Sequence, residues 1–218
     1  MKKLVYILIL FSMVFCSKES KTNSEISKKD YTSVIPIDST KMAETTTESE
    51  TLNKEESLKM LNHEILSTLK FKDFAKFSNY IHPQKGVQFS MYAHLNPKQD
   101  KRFTKEDYLK YAPSTIKFTW GEKDGTGDPL VLSIRKYLED WVFRKDFTKG
   151  EFYFNTFKGN GNSLNNLKKV YPTQYFTENY IPGSEEYGGM DWNCLRFVFE
   201  ELDRTFYLVA VVNDQWTT

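Results

Sequence analysis

The chain is 218 residues long and carries 30 Lys and Arg against 29 Asp and Glu, for a formal charge of +1. So even a balance leaves no basic footprint for a polyanion, and no nucleic-acid partner is expected. With 39% hydrophobic residues and two cysteines, the chain must build its core without a disulfide framework.

Met1-Lys2-Lys3, an apolar run from Leu4 to Phe15, and then Cys16 open the chain. A short basic start and an apolar run too short to span a bilayer predict a secretory signal over residues 1–15. The polar Ser17-Lys18-Glu19-Ser20 directly after Cys16 points to a bacterial lipoprotein, with Cys16 lipidated (palmitate among its acyl chains) and serving as the mature N-terminus. Met13 and Phe15 depart from the preferred Leu and small residue at those positions. The expected location is the bacterial cell envelope, on the periplasmic or outer-surface face, with the membrane a partner through the N-terminal lipid. Loss of Lys2 and Lys3 with the signal takes the formal charge from +1 to −1. With Cys16 acylated, Cys194 has no disulfide partner, and its setting Trp192-Asn193-Cys194-Leu195-Arg196-Phe197 predicts a buried, inert thiol.

Residues 16–52 are dominated by Ser, Thr, Lys and Glu and read as a flexible tether, with Val34-Ile35-Pro36-Ile37 its one apolar spot. That leaves 53–218 as one domain. Asn53 is placed to cap a first helix with Glu56 closing a capping box, and Leu58, Leu61, Ile65 and Leu69 form one apolar stripe. A short helix follows from Asp73, with Phe74, Phe77 and Ile81 inward, and ends at His82-Pro83.

Val87, Phe89 and Met91 alternate with Gln88, Ser90 and Tyr92, the pattern of a half-buried strand. Thr104 caps a brief helix through Ala112, and Ile116, Phe118 and Trp120 alternate again before the turn residues Asp124-Gly125-Thr126-Gly127-Asp128-Pro129. Leu130 and Leu132 continue a strand, and Ser133 caps a helix that turns Tyr137, Leu138, Trp141 and Val142 inward. Strands are expected near 152–158 and 174–181. Trp192–Leu202 and Thr205–Asn213, joined by Asp203-Arg204, read as an antiparallel hairpin. Helices first and strands last give an α+β order, with N-terminal helices packed on a curved antiparallel sheet.

Three segments carry a resemblance: His82-Pro83-Gln84-Lys85-Gly86-Val87-Gln88-Phe89-Ser90, Trp120-Gly121-Glu122-Lys123-Asp124-Gly125-Thr126-Gly127-Asp128-Pro129, and Trp192 to Phe199, with Asp214-Gln215-Trp216-Thr217 near the end. Together they resemble an uncharacterised family of bacterial extracytoplasmic proteins, many of them lipoproteins, over roughly His82 to Thr218. The resemblance implies no assigned activity. Asn213 stands where a His precedes the Asp-Gln-Trp element in that pattern, which speaks against a catalytic histidine there. The element order is also similar to the NTF2-like, or cystatin-like, cone, a fold that hosts binders, some isomerases and many interaction modules, so it does not choose a function.

Candidate chemistry is sparse. His82 is placed for a base facing a pocket or for a hydrogen-bonding role at its turn. His63 and His94 lack ligand spacing with it, so neither a zinc site nor any other metal or cofactor is expected. The Asp124–Asp128 loop matches neither the helix–loop–helix calcium pattern nor a phosphate loop, and reads as a glycine turn. Gly159-Asn160-Gly161-Asn162-Ser163 offers free amides to an anion, or a plain turn. Asp191, Arg196 and Asp214 are candidates for a polar cluster or a structural ion pair, with Arg196 on the strand face opposite Leu195 and Phe197.

Three function classes follow. The leading one is a non-enzymatic module that binds an envelope protein or a small molecule, with Trp120, Arg196 and Trp216 lining its site. The rival is a small-molecule enzyme of hydrolase or isomerase type using His82, Asp124 or Asp214. A purely structural envelope component is the third.

Overall fold

A computed structural model describes residues 39–218, with side chains from 53 onward. The expected signal, Cys16 and the tether before Ser39 lie outside the described residues.

Helix α1 spans Ser39–Lys70. Asn53 therefore lies within the helix and does not cap it, and its carbonyl accepts the Ser57 hydroxyl at 2.9 Å. The apolar stripe holds as expected: Leu58, Ile65 and Leu69 are buried, joined by Leu66. The helix stops where Lys72 takes φ 57°, which lets Asp73 N donate to Thr68 O and Lys72 N donate to Leu69 O. These two bonds close the last turn in the Schellman manner. Asp73 then caps α2 (Phe74–Phe77) by accepting Lys76 N at 2.9 Å, and both phenylalanines are buried.

The main sheet contains β1 (Val87–Ser90), β2 (Lys101–Phe103), β5 (Glu151–Phe154), β6 (Tyr175–Ile181), β7 (Asn193–Leu202) and β8 (Thr205–Gln215), in the order β2-β1-β8-β7-β6-β5. All neighbours are antiparallel except β1 and β8, which pair in parallel through Gln88↔Ala210 and Phe89↔Val211. The fold is thus α+β with a mainly antiparallel sheet, and the expectation of a wholly antiparallel one is corrected. A parallel pair cannot be closed by a hairpin, and here most of the chain separates the two partners. No local pattern announces such a pairing.

That central place also explains a second difference. β1 is not half-buried: Gln88 and Ser90 are as buried as Val87 and Phe89, because both faces of the sheet are covered. On one face, α1 packs against Leu195, Phe197, Phe199 and Val211. On the other, the 157–176 segment with α5 (Leu167–Val170) lays Leu167, Tyr171 and Phe176 on Val198, Ala210 and Val212. The strand expected over 152–158 ends at Phe154, since Asn155 turns the chain at φ 48°.

The closing hairpin forms as read, with Asn193 opposite Gln215 and Leu202 opposite Thr205. Its two-residue turn puts Asp203 at φ 51° and Arg204 at φ 63°, the left-handed geometry of a type I′ connection. A separate hairpin, β3 (Lys117–Glu122) with β4 (Pro129–Ser133), closes over the α1-side core. Helix α3 (Lys105–Tyr111) is capped by Thr104, which accepts Asp107 N at 3.0 Å. Ser133 caps α4 (Ile134–Tyr137), which continues into a π turn over Leu138–Val142.

Candidate functional site

An open groove of about 930 Å³ lies at the β3–β4 end of the fold. Three pieces of chain build it: the 122–127 turn between β3 and β4, Ser163 and Leu164, and Thr217 with Thr218; Tyr92 and His94 complete the wall. The turn folds back because Lys123 N donates to Asp128 O at 2.8 Å and Gly127 N to Lys123 O at 2.9 Å. Gly125 and Gly127 supply the positive φ this requires, 78° and 71°. The turn is fixed to its surroundings through Asp124. Its N–H donates to the Tyr92 hydroxyl at 2.8 Å, and its carboxylate accepts Thr218 N at 2.7 Å and the Thr218 hydroxyl at 3.0 Å. Across the groove, Asn162 Nδ2 donates to Thr217 O at 3.0 Å and the Ser163 and Thr217 hydroxyls meet at 3.0 Å.

A buried charge cluster gathers residues that lie a few positions before Ser163 and Thr217 in the chain. Arg196, fully buried on β7, donates from Nε to Glu178 at 2.6 Å and from Nη2 to Asp214 at 2.9 Å and to Gly159 O at 3.1 Å. The other Glu178 oxygen accepts Lys158 N at 2.8 Å and Gly159 N at 2.7 Å. The loop amides do grip an anion, then, and it is the chain's own Glu178. Burial opposes the Arg196 charge, but Glu178 and Asp214 outweigh it and hold the guanidinium above its ordinary value. Burial pushes the Asp214 carboxyl up against the pull of Arg196. The Arg196 Nη1 group has no partner among the described residues.

Close packing, not positive φ, demands glycine in this loop. A Cβ on Gly159 would stand 2.1 Å from Cys194 Sγ, and one on Gly161 would stand 2.7 Å from the Trp192 ring. Cys194 is buried and burial pushes its thiol far up, the state of an inert side chain.

The other sequence candidates lie apart. His82 is buried, and its Nδ1 accepts the N–H groups of Gln84 and Lys85, both at 3.1 Å. Burial lowers its pKa, with Glu200, 3.9 Å from Nε2, pulling the other way. Trp120 belongs to the core: it stacks on Tyr137 with ring centroids 3.6 Å apart, and its indole N–H donates to Leu132 O. Its expected role in lining a ligand site is corrected, since strand alternation turns it inward. Trp216 is exposed beside a hollow of about 230 Å³ with Arg144 and Met190. Asp191 accepts Ser184 N at 2.6 Å and does not join Arg196, so the expected trio is corrected to Arg196, Asp214 and Glu178. Glu178 went unread, although an acidic residue inside Tyr175-Phe176-Thr177-Glu178-Asn179-Tyr180-Ile181 was a signal that a cation faced it.

Among the described residues, no three His, Cys, Asp or Glu side chains gather to hold a metal ion, and no helix is long and apolar enough to cross a membrane. In comparisons with known proteins, no family model, curated protein or solved structure matches this chain.

Proposed function

We propose that the chain is a lipid-anchored bacterial envelope protein whose folded part is a non-enzymatic binding module, with the 930 Å³ groove as its recognition surface. One observation carries this reading: each candidate for acid–base work is held in a structural bond. Asp124 is engaged by Thr218, Asp214 by Arg196, and His82 Nδ1 by two turn amides. Proton transfer or nucleophilic attack needs a base within hydrogen-bond reach of its target, and these three stand in separate parts of the fold. The groove instead offers the hydroxyls of Thr126 and Ser163, the carboxylate of Glu122 and the ammonium of Lys123. Such a mixed, open wall suits a hydrophilic ligand held by several hydrogen bonds. The anchor rests on Met1 to Cys16 and the envelope address that segment implies. Helices ahead of a mainly antiparallel sheet are in keeping with an NTF2-like cone.

Two experiments test the reading. Full-length protein expressed in bacteria should partition with membranes and incorporate labelled palmitate, and Cys16→Ser should lose both; a membrane-bound Cys16→Ser protein defeats the anchor. A thermal-shift screen of hydrophilic metabolites and oligosaccharides should find a compound that stabilises the protein and fails to stabilise Thr126→Trp. Turnover of that compound, abolished by Asp124→Asn or His82→Ala, defeats the binding module in favour of an enzyme.

A further inference from the structure

On the α1 face of the sheet, away from the groove, a second cavity of about 400 Å³ opens between α1 and β5. Met60, Leu66, Phe147 and Phe152 form apolar walls, and the buried amides of Asn62 and Asn179 form its polar part. Small-ligand sites have this make-up, with volumes of roughly 300–1,000 Å³ and a few convergent polar groups in an apolar wall.

The hydrogen bonds of the two amides can be counted. Asn62 Oδ1 accepts Thr177 Oγ1 at 2.8 Å and Asn179 Nδ2 at 2.9 Å, which fills it. Asn179 Nδ2 gives its second hydrogen to Leu195 O at 3.1 Å, so it is filled too. Asn62 Nδ2 donates only to Asn179 Oδ1, at 2.9 Å, and Asn179 Oδ1 accepts only that bond. An amide nitrogen carries two hydrogens and a carbonyl oxygen two lone pairs. One donor and one acceptor therefore remain without a partner among the described residues, side by side, in residues 4% and 2% exposed. Leaving such groups unmet under apolar cover is unfavourable.

We propose that this cavity binds a compact, uncharged molecule with an apolar body and a carboxamide or lactam edge. Its carbonyl would accept from Asn62 Nδ2 while its N–H donates to Asn179 Oδ1, and its body would lie against Met60 and Phe152. Charge is disfavoured because Lys59, His63 and Glu64 are exposed at the rim, while the inner groups are neutral.

Benzamide is the test probe, titrated into full-length protein with NMR detection of the Asn62 and Asn179 side-chain amide resonances. Both should shift saturably. Acetophenone, which keeps the carbonyl and lacks the amide hydrogens, should bind at least about tenfold more weakly because Asn179 Oδ1 then stays unpaired. Met60→Trp, a change at an exposed position on the cavity mouth, should abolish the shifts with the melting temperature unchanged. Absence of saturable shifts with benzamide, equal affinity for acetophenone, or undiminished binding by folded Met60→Trp overturns the proposal. Should Met60→Trp fail to fold, the two wild-type titrations decide alone.

Discussion

Strand β6 serves two buried polar networks of opposite character. Glu178 points to one face and joins Arg196 and Asp214, whereas Thr177 and Asn179 point to the other and join Asn62 of α1. The first is charged, and nearly every polar atom in it is matched, including two backbone amides drawn onto Glu178. The second is neutral and retains a spare donor and acceptor. The difference follows from desolvation: a buried ion without partners costs several kcal/mol, while an under-used amide costs about 1–3 kcal/mol. A fold can therefore leave amides facing a cavity far more cheaply than it can leave charges there.

The charged network is the more costly of the two to disrupt, and Arg196 is its centre. Arg196→Ala leaves Glu178 and Asp214 buried without their cation, and should cost about 3–5 kcal/mol in urea unfolding. A loss under about 1 kcal/mol would mean that the cluster is solvated, against the burial seen here. Groove binding should weaken with it, because Gly159 loses the contact that holds its loop. At the neutral network, Asn62→Leu strands Thr177 and part of Asn179 and should cost about 1–3 kcal/mol. A larger loss than that of Arg196→Ala would reverse the ranking.

An exposed turn gives the reference point. Arg204 sits at φ 63°, a conformation that non-glycine residues adopt at a penalty. Arg204→Gly should stabilise by about 0.5–1 kcal/mol, read from the urea midpoint, without touching either network.

His82 lies between the two classes, an ionisable group kept neutral. Its folded pKa lies below the ordinary histidine value of 6.5 because of burial. Folding therefore favours the unprotonated ring, so its contribution is complete above about pH 6.5 and is lost as pH falls from there toward the lower folded pKa. Protonation at Nδ1 would also end its acceptance of Gln84 and Lys85 N–H. Stability measured from pH 8 to 5 should decline, and His82→Gln should flatten that slope; an unchanged slope assigns the decline to other groups. Glu200 and Lys85, which face the ring with opposite effects, should be held constant in that comparison.

These contrasts also show what was legible in the sequence. Period and caps sufficed for α1 past Asn53, for the short helix starting at Asp73, for Thr104 and Ser133 as helix caps, and for the closing hairpin, because each is a local event. Arg196 could be placed opposite Leu195 and Phe197 by alternation alone. The second core on that opposite face could not, since it depends on where residues 157–176 return, and neither could the parallel pairing of β1 with β8. Trp120 misled for a related reason: an aromatic at strand spacing is equally suited to a ligand wall and to a core, and only Tyr137 stacked beneath it decides. The partnership of Glu178 with Arg196 needed the β6–β7 register, in which the two residues stand opposite each other.

On the proposed reading the groove recognises without turnover, with Asp124 fixed to Thr218 by structural bonds. The most direct measurement incubates the full-length protein with a compound that stabilises it, then recovers both and weighs the compound by mass spectrometry. The compound should return unchanged, and Thr126→Trp should no longer retain it. Conversion of the compound by wild-type protein, lost in Asp124→Asn, would contradict recognition without turnover.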